Sequence, residues 1–394
     1  MIISFFGLGK AGLPFACVIA KAGHTVVGVD IDRNLVDSIN RGIANIDEPG
    51  VTNLVKRLVS EKKLSATLNG QYAVKHAAAH IVLVPLFLDE NNDPNYGPLT
   101  NALTTIAQGL KRNDLVVIET TLPPGTMNDV VIQILENSKL RAGVDFHLAY
   151  SPERTMSGFA LSRYSEFPKI VSGVNEQSTR VVKKLYDGFS NVMVVSSPKV
   201  AEFVKVFEGI YRDVNVALAN ELYKVCEKAG VDFWEVRSAA NHTFCNIHEA
   251  GNGTGGHCIP VYPWFIIKKF DAQITKLARD VNDSMASYFA SIVMKGNNKK
   301  TTVAIVGLTY REGVKATYNS RAFALIEELK KKHAIVVGYD SLLSGQEIRA
   351  EFDISQVKDF SSVDKIIVLT KDNCYRKLLK PYINKVLDTK NIFG

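Results

Sequence analysis

Apolar positions in this chain fall into short continuous runs at both ends and a long three-to-four-residue rhythm in the middle. Ile2–Phe6 is a short apolar run. Gly7-Leu8-Gly9-Lys10-Ala11-Gly12 follows, then a helix-like stretch over 13–22 closed by Gly23, then the β-branched run Thr25–Val29 ending at Asp30. The order predicted is strand, tight turn, helix, strand. Residues 81–84 and Leu115–Ile118 are continuous and β-branched, the pattern of strands buried on both faces of a parallel sheet. Residues 192–195 make a plausible last strand of this part.

From about Val200 the period changes. Phe203, Val204, Phe207, Ile210, Tyr211, Val214, Leu218, Leu222 and Val225 recur every three or four residues, which predicts one long amphipathic helix stopped near Gly230. About 30 residues at 1.5 Å each would span ~45 Å. A helix of that length cannot bury its face alone, so the region is expected to connect two domains and to form a dimer surface. More helix is expected over 275–294, and Gly296-Asn297-Asn298-Lys299-Lys300 reads as a polar linker. A second, smaller β/α unit follows: strand Thr302–Val306 into Gly307, helix 322–332, strand Ile335–Tyr339 ending at Asp340, and strand 366–369. The expected fold is α/β, with two Rossmann-like parallel-sheet domains (1–196 and 299–394) joined by a long central helix and a small helical domain (197–295).

Composition narrows the function classes. The 394 residues are 46% hydrophobic and 22% charged, ordinary for a globular chain. The longest apolar run, 81–88, is far short of the roughly 20 residues a membrane span needs. The N-terminus has neither a basic leader nor a cleavage site, which points to a cytoplasmic protein. A net charge of +7, without a long Lys/Arg tract, suits small anionic ligands and does not call for nucleic acid. Cys17, Cys226, Cys245, Cys258 and Cys374 are few, odd in number and scattered, so neither a disulfide framework nor a metal site is expected.

Two motifs carry chemistry. The first glycine turn has the context that a dinucleotide site needs: a strand before it, a helix after it, and an acid ending the next strand. Gly7 would permit the tight turn, Gly9 would let the backbone approach a pyrophosphate, and Gly12 would let the helix pack close to the sheet. Asp30 would accept from the ribose hydroxyls and repel a 2′-phosphate, favouring NAD over NADP. The bland alternative is a glycine turn with no ligand. The second turn, Gly307-Leu308-Thr309-Tyr310, lacks the full fingerprint and suits another phosphate-bearing ligand or none.

Gly251-Asn252-Gly253-Thr254-Gly255-Gly256-His257-Cys258-Ile259-Pro260 holds four glycines in six residues, so it is neither helix nor regular strand. Its backbone N–H groups could cradle phosphate or sugar oxygens. A cysteine closing such a loop is either a small buried hydrophobe or an accessible nucleophile. NAD together with a thiol has a chemical meaning. An aldehyde cannot yield a second hydride until a nucleophile adds to it, and a thiol turns it into a thiohemiacetal, then a thioester, then a carboxylate. That route also needs a cation near the developing oxyanion. Lys205 shares a helix face with Gly209 and Arg212, at i, i+4 and i+7; taken alone it could equally be a solvated helix lysine.

In order along the chain, these pieces resemble the UDP-glucose/GDP-mannose dehydrogenase family. The matching stretches are Glu119-Thr120-Thr121-Leu122-Pro123-Pro124-Gly125-Thr126, Ser151-Pro152-Glu153-Arg154-Thr155, the helix from Lys205 through Tyr211-Arg212-Asp213-Val214-Asn215 to Asn220-Glu221, Ala278-Arg279-Asp280-Val281-Asn282-Asp283-Ser284-Met285, and Leu387-Asp388-Thr389-Lys390. The His-Cys-Ile-Pro form at 257–260 resembles the branch that oxidises UDP-N-acetylhexosamines. The resemblance implies a UDP-sugar substrate and NAD, and the homodimer is expected through the central helix. It implies that Cys258 is the nucleophile, that Lys205 stabilises the oxyanion, that Thr121 binds the catalytic water and that Glu153 positions substrate or assists hydrolysis. Cofactor contacts are then expected from Gly7, Leu8, Gly9, Lys10, Ala11, Gly12, Asp30, Arg33, Pro85 and Thr121. Substrate contacts are expected from Glu153, Arg154, Lys205, Arg212, Gly253, Gly255, Tyr310 and Arg311. Thr121 could instead satisfy its own turn, Glu153 could cap a helix or pair with Arg154, and Arg311 could be a surface charge.

Four stretches depart from the family pattern. Gly209 stands where asparagine is usual, and Tyr262 where aspartate is usual. Ala316-Thr317-Tyr318-Asn319-Ser320-Arg321 replaces Asp-x-Arg-x-Ser-Pro, and Val84-Pro85-Leu86-Phe87 replaces Val-Pro-Thr-Pro. Tyrosine, with an ordinary pKa of about 10, is a poor substitute base. The reading that follows is four-electron oxidation of a UDP-N-acetylhexosamine, foremost UDP-N-acetyl-D-mannosamine. The alternatives are a UDP-GlcNAc or UDP-glucose 6-dehydrogenase, a silent nucleotide-sugar binder, and a two-electron alcohol dehydrogenase.

Overall fold

The structure is a computed structural model that describes residues 1–46, 48–156, 158–296 and 301–394. Apart from Gly296, the linker expected at 296–300 lies outside the described residues, as does the start of the expected 299–394 domain. The chain divides into two compact units, Met1–Phe207 and Glu208–Gly394.

The first unit is built on an eight-stranded sheet. Its order is Val192–Val194, Lys169–Gly173, His147–Tyr150, Leu115–Ile118, Ala79–Val82, Ile2–Phe6, Thr25–Val29, Leu64–Thr67. The last six in that order are parallel. The order reverses between Ile2–Phe6 and Ala79–Val82, which makes the crevice beyond their carboxyl ends the place for a ligand. Leu115–Ile118 and Ala79–Val82 are buried at every position, which is why they read as unbroken apolar runs. His80 is the polar exception. Its Nδ1 lies 2.7 Å from Ser4 Oγ and its Nε2 lies 3.3 Å from Asp114 Oδ2, so the buried polar groups satisfy one another.

The two strands at one edge run against the other six. Lys169–Gly173 pairs antiparallel with His147–Tyr150, and Val192–Val194 is parallel to Lys169–Gly173. This differs from the all-parallel sheet expected. After Tyr150 the chain enters the next strand from the end at which it left the last, so no crossover is needed. Helix Glu176–Tyr186 then supplies a crossover that keeps the final pair parallel. The reversal puts Lys169, the first residue of its strand, beside the carboxyl ends of Leu115–Ile118 and His147–Tyr150.

Helix Pro198–Ala229 runs across the boundary between the units, 32 residues and therefore about 48 Å long. Past it, helices Phe233–Ala240 and Gln273–Met294 lead to a five-stranded sheet. Its order is Ser355–Gln356, Ile335–Tyr339, Thr302–Val306, Lys365–Val368, Val386–Asp388, and every pair is parallel. Ala219 and Tyr223 of the long helix, Met285 and Phe289 of helix Gln273–Met294, and Leu325, Ile326 and Leu329 of helix Arg321–Lys331 share one buried core with the inner face of this sheet. No helix among the described residues is long and apolar enough to cross a membrane.

Candidate functional site

The first glycine turn has the geometry its sequence predicts. Gly7 adopts φ +94°, and a Cβ there would stand 2.3 Å from the Leu83 carbonyl oxygen. A Cβ on Gly12 would stand 1.9 Å from the Gly7 carbonyl oxygen. Gly9 has no atom within 4 Å of its Cβ position. Two of the glycines therefore permit close packing, and the middle one faces open space. Helix Gly12–Lys21 begins there with no side-chain cap; Leu13 N already donates to the Gly9 carbonyl at 3.1 Å and Pro14 has no N–H, so of its first three residues Gly12 alone keeps an N–H for an anion. The turn fits a dinucleotide's pyrophosphate.

Asp30 also holds the turn itself. It accepts from Leu8 N at 2.7 Å and from Asp32 N at 3.1 Å. Each carboxylate oxygen keeps a lone pair for a ribose hydroxyl. The second α/β unit repeats the device: Asp340 accepts from Leu308 N, also at 2.7 Å. In both units a strand glycine makes room for the leucine, Gly28 for Leu8 and Gly338 for Leu308. Asp340, however, is buried and takes three further bonds, from Thr309 N, Thr309 Oγ1 and Leu342 N. Its acceptor capacity is largely spent inside the protein.

Other expected cofactor residues sit on loops at the same end of the first sheet. Pro85 is exposed beyond Ala79–Val82, and Thr121 is half-buried beyond Leu115–Ile118. Lys10 and Arg33 are exposed, and Asp32 caps the helix Arg33–Asn40. Thr120 Oγ1 donates to the Val84 carbonyl at 2.8 Å, tying the two loops together. Glu202, in the first turns of the long helix, accepts from Gly125 N at 2.6 Å and Met127 N at 2.8 Å.

Glu153 belongs to a buried cluster that spacing did not reveal. Its carboxylate accepts from Tyr164 Oη at 2.7 Å and Thr155 N at 2.6 Å, and Lys169 Nζ lies 3.9 Å away. The Lys169 ammonium donates to the fully buried Glu119, which also accepts from Tyr186 Oη, and it sits 4.5 Å from the centroid of the Phe15 ring. Arg154 donates to the Pro168 carbonyl at 2.8 Å. Burial pushes the Glu153 carboxyl up, but Lys169 and the bonds from Tyr164 and Thr155 outweigh it and leave its pKa below the ordinary value. For Glu119, burial wins over Lys169, Glu153 adds to it, and the pKa rises from 4.5 to about 7. The folded chain therefore holds a proton on Glu119 that the unfolded chain releases between those two values. Stability on its account is full below pH 4.5 and is lost as the pH rises through about 7. The contribution of Glu153 is lost only as the pH falls through its lowered pKa, below this window. Urea midpoints of the native protein should fall from pH 5 to pH 8, and Glu119→Gln should flatten that decline. Parallel slopes would contradict the assignment.

In the second unit, Cys258 is exposed at the end of the glycine-rich loop. The glycines meet a packing requirement. A Cβ on Gly253, which has φ +81°, would stand 2.4 Å from the Asn282 carbonyl oxygen; one on Gly255 would stand 2.7 Å from that of Asn319; and one on Gly256 would stand 2.9 Å from the Tyr310 ring. They let the loop thread tightly through the protein. A polar network then locks it. Asp213 accepts from Thr254, Arg279 and Asn282 at 2.7 to 2.9 Å. Arg321, in place of the family's usual proline, donates to the Asn252 carbonyl at 3.0 Å and to Asp283 Oδ1 at 3.0 Å. Tyr318, in place of the usual arginine, stacks on His257 with ring centroids 4.1 Å apart and planes 6° apart.

A cavity of about 410 Å³ lies in the same unit, lined by Arg212, Arg237, His248, Tyr310, Arg311 and Lys390 among others. Arg237 is oriented by the Ile247 and His248 carbonyls. Burial lowers the His248 pKa, and Arg212 and Arg237 lower it further. Burial likewise lowers that of Lys390, against the pull of Glu249. These crowded cations, facing Glu249 and Glu312, suit an anion of several charges such as a diphosphate. Arg212, Tyr310 and Arg311 were expected from the sequence. Arg237, His248 and Lys390 were not, because they come from three separated segments.

Comparison with known proteins gives a consistent picture. Models of the UDP-glucose/GDP-mannose dehydrogenase family match its NAD binding domain to residues 1–190, its central domain to 199–284 and its UDP binding domain to 304–394. The chain is 34% identical to a UDP-N-acetyl-D-mannosamine dehydrogenase of Methanococcus maripaludis, over 99% of this chain and 92% of that one. It is 31% identical to an NDP-N-acetyl-D-galactosaminuronic acid dehydrogenase of Ralstonia nicotianae, over 100% and 96%. The solved structure of a UDP-D-ManNAc dehydrogenase from Pyrococcus horikoshii superposes with a TM-score of 0.89 at 31% identity, over 98% of this chain and 93% of that one.

Proposed function

The chain belongs to the UDP-glucose/GDP-mannose dehydrogenase family and is an NAD-dependent UDP-sugar dehydrogenase; we propose that its substrate is UDP-N-acetyl-D-mannosamine and that it oxidises C6 of the sugar to a carboxylate through a thioester on Cys258. The observation that carries the proposal is a thiol exposed two residues beyond Gly256, the glycine pressed against Tyr310 in the wall of the basic cavity. A diphosphate held by Arg212, Arg237, Arg311 and Lys390 would leave the sugar free to extend along the loop.

In this reading residues 1–196 hold the dinucleotide, 197–295 carry the nucleophile, and 299–394 bind UDP. Gly7 to Gly12 take the pyrophosphate, Asp30 the adenosine ribose, and Arg33, Pro85 and Thr121 line the rest. NAD, when bound there, supplies the hydride acceptor for two successive oxidations. The first oxidation converts the C6 alcohol to an aldehyde. Sγ of Cys258 then adds to the aldehyde carbon, and the new oxyanion is stabilised by the Lys205 ammonium. Oxidation of that thiohemiacetal leaves a thioester. Water positioned by Thr121 and Glu153 adds to the thioester carbon, the carbon–sulfur bond breaks, and the uronate leaves with the thiol restored. Per substrate the chain consumes one water and two hydride acceptors. The test is NADH formation with UDP-ManNAc, UDP-GlcNAc and UDP-glucose. Highest kcat/KM with the first is expected, and no NADH with any of the three would overturn the proposal.

A homodimer through the long helix is part of the same reading. Val200, Phe207, Tyr211, Leu218 and Val225 are all exposed, from 38% to 64%. Their spacings of 7, 4, 7 and 7 keep them on one face of a 3.6-residue helix. Such an apolar stripe on a soluble surface calls for a partner. Leu218→Glu with Val225→Glu should shift sedimentation at micromolar concentration from dimer to monomer; a wild-type monomer would count against the interface.

A further inference from the structure

Two departures from the family pattern, Gly209 and Tyr262, meet in space. Tyr262 opens the short helix Tyr262–Ile267, and its N–H donates to the Cys258 carbonyl at 3.0 Å. Ring and thiol therefore belong to one tight turn. The ring is buried, and it lies against the long helix at Gly209. A Cβ on Gly209 would stand 2.5 Å from Tyr262 Cδ2 and 3.3 Å from Tyr262 Cβ and Cγ. Gly209 lies inside a regular helix, where only proline is less favourable than glycine. It has no positive φ to justify it. What it supplies is room for the ring. It also sits one helical turn after Lys205 and three residues before Arg212.

We propose that Gly209 and Tyr262 act as one positioning pair: the ring plugs a notch in the long helix and seats the turn that bears Cys258. The two changes compensate for each other, since a bulkier residue at 209 and this ring at 262 exclude one another. What the seat takes from Tyr262 is the volume of its ring, which Tyr262→Phe keeps. The pair replaces the asparagine and aspartate usual at these places with a steric seat. The consequence for catalysis rests on the reading of Cys258 as nucleophile; the seating does not.

The experiment compares the wild type with Gly209→Ala, Tyr262→Ala, the double variant and Tyr262→Phe. The first measurement is alkylation of Cys258 by iodoacetamide, read by peptide mass spectrometry against the exposed Cys374 as internal reference. The second is the split of kcat and KM for NADH formation. Gly209→Ala should change the Cys258/Cys374 rate ratio and lower kcat by about tenfold or more. The KM for the UDP-sugar should stay within about threefold. Adding Tyr262→Ala to Gly209→Ala should recover much of that loss, and Tyr262→Phe should remain within about twofold of wild type. If Gly209→Ala fails to fold, Tyr262→Ala alone, which removes atoms, should still alter the alkylation ratio. An unchanged ratio in both single variants, multiplying effects in the double variant, or a Tyr262→Phe loss equal to that of Tyr262→Ala would each overturn the proposal. If no UDP-sugar yields NADH with the wild type, the functional reading fails while the alkylation ratios still decide this one.

Discussion

Cys258→Ala should make no uronate. The thiol is exposed at the end of the loop that passes Tyr310, and nothing else in the scheme can hold the aldehyde while a second hydride leaves. Without a covalent adduct the carbonyl carbon offers no carbinol hydrogen to transfer. The expected loss in acid formation is on the order of 10⁴-fold or more, the scale on which removing a nucleophile acts. The variant should yield at most one NADH per sugar. Its affinity for NAD should be unchanged, because the cofactor contacts proposed above lie on the first glycine turn and its neighbouring loops. Acid formation at the wild-type rate would mean that the carboxylate arises by direct oxidation of a hydrated aldehyde.

Lys169→Met should be the most damaging change to stability. It leaves Glu119 and Glu153, both nearly inaccessible, without their shared cation. Breaking a buried ion pair from one side costs roughly 3–5 kcal/mol, because the remaining charge must be neutralised or hydrated in place. In a unit of this size that lowers the melting temperature by on the order of 10 °C. At alkaline pH, where Glu119 would otherwise have to ionise, adding Glu119→Gln should restore part of the loss. A single-variant loss below about 1 kcal/mol, the scale of an exposed pair, would show that the cluster is better hydrated than its burial implies.

Features written locally were legible in the sequence. Gly7, Gly9, Gly12 and Asp30 lie within one strand–turn–helix–strand segment, and Gly7 and Gly12 make there the close approaches that their spacing suggests. The long helix was equally plain, because its apolar rhythm is continuous from Phe203 to Val225. What escaped was written in distant pairs. Glu119 and Lys169 are fifty residues apart and meet only because one strand enters the sheet in reverse. Strand direction leaves no mark on a run such as Lys169–Gly173. The glycines at 251–256 announced an irregular loop, but not what presses against it. Their neighbours are Asn282, Tyr310, Asn319 and Lys390, supplied by segments far along the chain. Gly209 and Tyr262 read as separate departures from the family pattern, and only the fold brings them into contact.

The central claim is a covalent bond between Cys258 and the sugar's oxidised C6. Its most direct test is to acid-quench the enzyme during turnover with UDP-N-acetyl-D-mannosamine and NAD, digest it, and weigh the peptide that contains Cys258. The account predicts a uronyl thioester on that peptide, which is released by hydroxylamine and absent when NAD is withheld. Steady production of two NADH per sugar with every cysteine peptide unmodified would contradict it.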